Sequence, residues 1–290
     1  GRSETGDHFG ASLAAGDFRG GGFDDLAIGT PDEADGTVAA AGAIRFLNGS
    51  AAGLVATDPT VITQATAGVP GVNETGDRFG ASLAAGDVNR DGRDDLISGD
   101  PDESVGDVRD AGDIAYLPGG HSGVTGSGTK RFSLATAGVP GTAVRNGSAG
   151  FSVTVGDFDG NGYADIAFGA PGSRIGILGT VAGSIVELPG SSSGPRATGA
   201  TEIDQSTSGV PGPLTETFGW TVRAAHLHGT GSSDLAVGAW LSSSGPVAQA
   251  GQAYVLRGVH GAGLTGDGGT AIRQSGPGPS IGASFGWALG

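Results

Sequence analysis

Short apolar runs alternate along this chain with turns rich in Gly, Asp and Asn, and the runs return in a fixed order. In one stretch they are Phe79–Gly86, Asp95–Gly99, Asp113–Leu117 and Lys130–Ala135. Each is too short for a helix and is bounded by turn residues, so each reads as a strand. Sustained 3.6-residue periodicity is absent, and Gly interrupts nearly every helical candidate. The first run, Phe9-Gly10-Ala11-Ser12-Leu13-Ala14-Ala15-Gly16-Asp17, returns at Phe79–Asp87, more loosely at Ala149–Asp157, and again from Phe218. In the third copy the aromatic moves two places, to Phe151, which in a strand keeps it on the same face. The third run is equally regular: Ala41–Leu47, Ala111–Leu117, Ala182–Leu188 and Ala250–Leu256. Four antiparallel strands per repeat predict an all-β chain built as β-propeller blades. The repeats fall at about 1–71, 72–141, 142–212 and 213–280, with a closing strand in 281–290. One blade cannot cover both of its own faces, so Phe79, Leu83, Leu96 and Ile97 are expected between blades.

The turn after the first strand carries the chemistry. Asp87-Val88-Asn89-Arg90-Asp91-Gly92-Arg93-Asp94-Asp95 places side-chain oxygens at positions 1, 3, 5 and 9. A hard cation such as calcium takes six to eight oxygens. Asp87, Asn89, Asp91 and Asp95 supply them, with the backbone carbonyl of Arg93 at place 7. Asp157-Phe158-Asp159-Gly160-Asn161-Gly162-Tyr163-Ala164-Asp165 repeats the pattern, so Asp157, Asp159, Asn161, Asp165 and the Tyr163 carbonyl predict a second site. An EF-hand is excluded, because place 12 is Ser98 or Phe168 rather than Glu and a strand-like run follows. The other two loops lack the set. In the first, Arg19 and Gly21 stand at places 3 and 5. The fourth begins His226-Leu227-His228 and keeps only Asp234, a weak transition-metal candidate. Two calcium ions are therefore expected.

Composition narrows the function. The net charge of −15 lacks the basic footprint of a nucleic-acid binder. No apolar run is long enough for a membrane-spanning helix. The 60 Gly show no three-residue period, which excludes collagen. Cysteine is absent, which rules out disulfides and thiolate metal sites. Calcium loops and abundant Gly, Ser and Thr fit an extracellular protein. Methionine is also absent, which implies processing of a longer product. Asn48-Gly49-Ser50, Asn73-Glu74-Thr75 and Asn146-Gly147-Ser148 match the glycosylation pattern. No nucleophile elbow, phosphate loop or zincin motif occurs.

Phe-Gly, then Gly-Asp with the ion loop, then Gly29-Thr30-Pro31, Gly99-Asp100-Pro101 or Gly169-Ala170-Pro171 resembles the FG-GAP repeat of integrin α-subunit propellers and of secreted bacterial integrin-like proteins. The fourth repeat departs, with Gly238-Ala239-Trp240. The resemblance implies that the ion loops lie on one face of the disc. The loops from second to third strand then lie on the other, the face that holds the ligand site in integrins. Asp32, Glu33, Asp102, Glu103 and Trp240 are the ligand candidates there. Trp220 and Trp287, two places from Phe218 and Phe285, are expected in the core.

The resulting expectation is a calcium-stabilised extracellular binding or adhesion module for a protein or carbohydrate ligand. An enzyme working at the propeller mouth (lyase, hydrolase or cyclase) and a structural subunit of an assembly are the alternatives. Propellers of this kind typically have seven blades. Four repeats plus a first strand at Phe285–Leu289 thus imply that further N-terminal blades, or a partner chain, complete the ring.

Overall fold

The computed structural model describes residues 4–175, 180–212, 217–229, 231–241, 250–273 and 288. The first sheet holds β1 (Ser12–Gly16), β2 (Asp25–Thr30), β3 (Ala43–Asn48) and β4 (Val55–Ile62). The second holds β5 (Ser82–Gly86), β6 (Asp95–Asp100), β7 (Asp113–Leu117) and β8 (Lys130–Phe132). In the third repeat, β9 (Ser152–Gly156) and β10 (Asp165–Ala170) precede a small hairpin of β11 (Arg174–Ile175) and β12 (Thr180–Val181), then β13 (Ser184–Leu188) and β14 (Thr201–Ile203). The last sheet is β15 (Thr221–Ala225), β16 (Asp234–Ala239), β17 (Gln252–Val259) and β18 (Gly263–Ile272). All four main sheets are antiparallel and run in sequence order, as propeller blades do. Pro59, which cannot donate to a ladder, lies in the edge strand β4.

The central strands of the second and third blades, β6, β7, β10 and β13, are buried along their whole length, because these blades are covered on both faces by neighbours. Side chains alternate between two interfaces, as the two-residue period of a strand requires. In β10, Ile166 and Phe168 join the core shared with the second blade, and Ala167 joins the core shared with the fourth. In β7, Ile114 and Tyr116 face the third blade, and Ala115 and Leu117 face the first. This is why these strands read as unbroken apolar runs rather than as alternating ones.

The blades are stapled by a repeated contact near the start of each first strand. Ser12, Ser82 and Ser152 each donate through Oγ to a carbonyl of the next blade, Gly80, Gly150 and Gly219, at 2.6, 2.8 and 3.0 Å. Phe79 N–H bonds Ala41 O, and Ala149 N–H bonds Ala111 O. The two outer flanks differ. Phe79 and Phe218 are fully buried, whereas Phe9 is 61% exposed and Leu13 59%. At the other flank Leu227 is 51% exposed, although its counterparts Phe18, Val88 and Phe158 are fully buried.

Two aromatic expectations are corrected. Phe151 does not take the place of Phe79: Ala149 does, as its parallel bridge to Gly112 matches that of Phe79 to Gly42. Trp220 is half-buried rather than core. The reason is common to both. A Gly with positive φ, Gly150 at +80° or Gly219 at +85°, breaks the extended backbone before the strand begins, so strand alternation does not carry across it. The expected closing strand, with Phe285 and Trp287, lies outside the described residues.

Candidate functional site: the ion loops and the mouth

Each ion loop is wound by its own place-1 acid. Asp87 accepts the N–H groups of Asp91 and Gly92, both at 3.0 Å. Asp157 accepts those of Asn161 and Gly162 at 3.0 and 2.9 Å. Gly92 and Gly162 have φ of +83° and +87°, which lets the chain turn back on the acid. At place 3, Asn89 Oδ1 and Asp159 Oδ1 accept the place-5 N–H at 2.8 and 3.0 Å. At place 5, Asp91 and Asn161 accept the N–H of Arg93 and Tyr163 at 3.0 and 2.7 Å. That bond holds the peptide just before each place-7 residue, Arg93 or Tyr163. Place 9 opens the second strand. Asp95 accepts from Val88 at 3.0 Å and Gly119 at 2.9 Å, and Asp165 from Phe158 and Gly190 at 2.8 Å. All four side-chain positions are thus turned into one loop. Asp157, Asp159 and Asp165 bring oxygens within 4.8 Å of one another, among the described residues the one three-acid group close enough to share an ion.

Charge separates these loops from the other two. Asp95 and Asp165 are fully buried, and burial pushes both carboxyls up to about 6. In the first loop the Arg19 guanidinium lies on Asp25, with Nη2 at 2.8 Å and Nε at 3.1 Å, and donates to Gly49 O at 2.7 Å. In the fourth, His228 Nδ1 lies 3.0 Å from Asp234, whose carboxyl is held low: burial raises it, and the His228 and Leu227 bonds more than offset that. His226 turns to Ser232 O at 3.4 Å, so the two imidazoles do not converge on a shared metal. The first and fourth loops carry a basic side chain at the place-9 acid. The second and third do not: in the third the three acids lie close enough to share a divalent ion, and in the second Arg93 Nη1 lies 3.6 Å from Asp91.

Two neighbours of these loops escaped the sequence reading. Tyr116 OH accepts from Asn89 Nδ2 at 3.4 Å. The equivalent Glu187 is buried, accepts from Leu264 N–H at 2.9 Å and Thr201 Oγ1 at 3.1 Å, and is pushed up to about 7 by burial, with the charge of Asp165 adding. Both stand where the first blade has Phe46, and a Glu at that register was the available signal.

On the opposite face, the loops after β2 and β6 bring Asp32 and Asp102 together through one residue. Arg78 donates to Asp32 at 3.1 and 3.3 Å and to Asp102 at 3.3 Å, and His8 Nδ1 lies 2.5 Å from Asp32. Burial raises the Asp102 carboxyl, and Arg78 opposes the rise. A cleft of about 670 Å3 opens here, lined by Asp32, Glu74, Asp77, Arg78, Asp102 and Arg109. Glu33 and Glu103 turn inward and are buried. Glu103 accepts from Gln64 at 2.7 Å and lies 3.2 Å from Arg131, which also meets Asp100 and Asp113. Trp240 packs edge-on against Trp220 at 5.3 Å, and Trp220 lies 4.2 Å from Phe151, forming a half-buried aromatic group.

Among the described residues no helix is long and apolar enough to cross a membrane. The FG-GAP repeat pattern matches residues 79–117 and 149–186. Integrin alpha pat-2 of Caenorhabditis briggsae is 30% identical over 250 residues, 83% of this chain and 18% of that protein. Integrin alpha-PS2 of Drosophila melanogaster is 34% identical over 178 residues, 58% of this chain and 12% of its own. A phosphatidylinositol-glycan-specific phospholipase D of Dictyostelium discoideum is 31% identical over 175 residues, 58% of this chain and 18% of that protein. The chain thus spans less than a fifth of each of these relatives. The two matched segments lie in the second and third blades, which carry the complete ion loops, and the chain is an FG-GAP repeat protein similar to integrin alpha subunits.

Proposed function

We propose that residues 1–290 form a calcium-stabilised extracellular β-propeller region that binds a protein or carbohydrate ligand at the mouth opposite its ion loops. The observation that carries the calcium reading is the contrast among loops. Where the acid set is broken, a basic side chain stands at the place-9 acid; where it is whole, no basic side chain pairs with the place-9 acid, and in the third loop three carboxylates lie within 4.8 Å of one another. Asp87, Asn89, Asp91, Asp95 and the Arg93 carbonyl take one ion. Asp157, Asp159, Asn161, Asp165 and the Tyr163 carbonyl take the other. Low-affinity oxygen sites of this kind fill at extracellular calcium levels.

Asp32 and Asp102, joined by Arg78, and the aromatic group at Trp240 are the ligand contacts of this reading. The carboxylates suit cationic or hydroxyl groups, and the indole suits a sugar ring or an aromatic side chain. Glu33 and Glu103 support these loops from within. Binding residues concentrate on loops held by a rigid scaffold. Phe9, Leu13 and Leu227, exposed where their counterparts are covered, favour a ring completed by further blades of the same polypeptide or of a partner. The test is a binding screen against immobilised matrix proteins and glycans. Asp32→Ala/Asp102→Ala/Trp240→Ala should lose the ligand that the parent chain retains, and undiminished binding by the triple variant sinks the mouth as the site.

A further inference from the structure

The four ion loops are joined in a row. The place-8 N–H of each loop donates to the place-1 carbonyl of the loop before it: Asp94 to Asp17 at 3.2 Å, Ala164 to Asp87 at 3.3 Å and Ser233 to Asp157 at 2.7 Å. The bond between the second and third loops therefore starts on one candidate ligand residue, Asp87, and ends beside another, Asp165. A second contact bridges the same pair. Arg90, between Asn89 and Asp91 and at φ +58°, lies over the Tyr163 ring at 5.7 Å. It packs so closely on Gly162 that a Cβ there would meet its Nη1 at 3.0 Å. Gly162 and Tyr163 are the turn residue and the carbonyl donor of the third loop.

From this geometry we infer that the second and third loops bind calcium cooperatively, a device that rests on the calcium reading above. An ion in the second loop fixes Asp87 and the segment around Arg90. The Ala164 N–H and the Gly162–Tyr163 peptide are held by that segment, so the third loop is ordered before its own ion arrives. A ligand that meets an already ordered site binds more tightly, and the effect is reciprocal. Two dications repel, but water and salt screen that repulsion at the surface. The ends of the row need no ion, because Arg19 and His228 occupy the place-9 acids there. Only the middle two loops depend on calcium, and they adjoin.

Calcium titration calorimetry on the full chain tests this. Asp91→Ala disables the second loop and Asp159→Ala the third, while Arg90→Ala removes the bridge and no ligand. The third loop in Asp91→Ala should bind calcium about five-fold or more weakly than in the parent chain, within the usual span of coupled sites. The second loop in Asp159→Ala should weaken by the same factor. Arg90→Ala should keep two bound ions, with its cooperativity reduced or lost. Far-UV circular dichroism verifies the fold of each variant. Unchanged affinity at the one remaining site of Asp91→Ala and of Asp159→Ala, or full cooperativity in Arg90→Ala, overturns the coupling and leaves the calcium reading intact. No calcium bound by the parent chain overturns both.

Discussion

Nη2 of Arg19 lies 2.8 Å from Oδ1 of Asp25, so the first ion loop holds a cation belonging to the chain itself. Asp25 is 3% exposed and Arg19 30%. Removing one partner of a buried pair strands the other charge. Arg19→Ala should therefore cost about 2–3 kcal/mol, below the full cost of a buried pair because the guanidinium is partly in water. Denaturant unfolding measures this. The converse is also expected. Arg19→Asp with Gly21→Asp rebuilds the acid set, and a Cβ at Gly21 meets nothing within 4 Å. The double variant should raise the calcium stoichiometry by one ion in calorimetry.

Chelation should lower the melting temperature of the parent chain. Three carboxylates share the third loop within 4.8 Å, and whatever binds only the folded state stabilises it by mass action. Asp157→Ala/Asp159→Ala should lose the calcium-dependent part of this gain at the third loop. A calorimetric scan unmoved by excess chelator counts against both ion sites.

Stability should fall as pH rises from about 5 to 8, in part through acids far from the ion loops. Burial pushes Asp77 up to about 6 and Glu103 up to about 8, in the group around Arg131. A carboxyl raised on folding binds its proton more tightly in the folded state. Its stabilisation is complete below the unfolded value and is lost as pH rises through the folded one. For Asp77 alone the loss is of order 1–2 kcal/mol. Asp77→Asn and Glu103→Gln should each flatten the profile, measured by urea unfolding across that range in the presence of chelator.

Phe9 and Phe79 hold equivalent places in the repeat and opposite environments, 61% exposed against fully buried. Phe79→Ala should cost about 3–5 kcal/mol, as for other buried aromatics. Phe9→Ser should leave the stability of residues 1–290 within about 0.5 kcal/mol, as at an ordinary surface position. It should also raise the monomer fraction in light scattering, because exposed apolar flanks promote association.

Arg78 sits among Asp32, Asp102 and His8 but is 40% exposed. Arg78→Ala should change stability by less than about 1 kcal/mol. It should nonetheless alter ligand binding at the mouth, because it frees two carboxylates. A binding assay beside an unfolding curve separates the two effects.

The repeat, the strand pieces and the place-9 pattern are local properties, and they were legible without coordinates. A buried strand demands an apolar run, an ion loop demands oxygens at alternate places, and a tight turn demands Gly at Gly92 and Gly162. What neighbouring blades decide was not legible. Glu33 and Glu103 read like Asp32 and Asp102 in the same loops, yet they are buried, because each next-door side chain points the other way and Glu103 meets Gln64 and Arg131 from other strands. Phe151 and Trp220 look like strand residues, but Gly150 and Gly219 turn the backbone first. Arg19 reads as a missing ligand, and only the folded loop makes it the cation of that loop. Sequence spacing specified which residues could meet. The packing of one blade on the next selected which of them did, since burial and charge pairing are set by contacts between segments far apart in the chain.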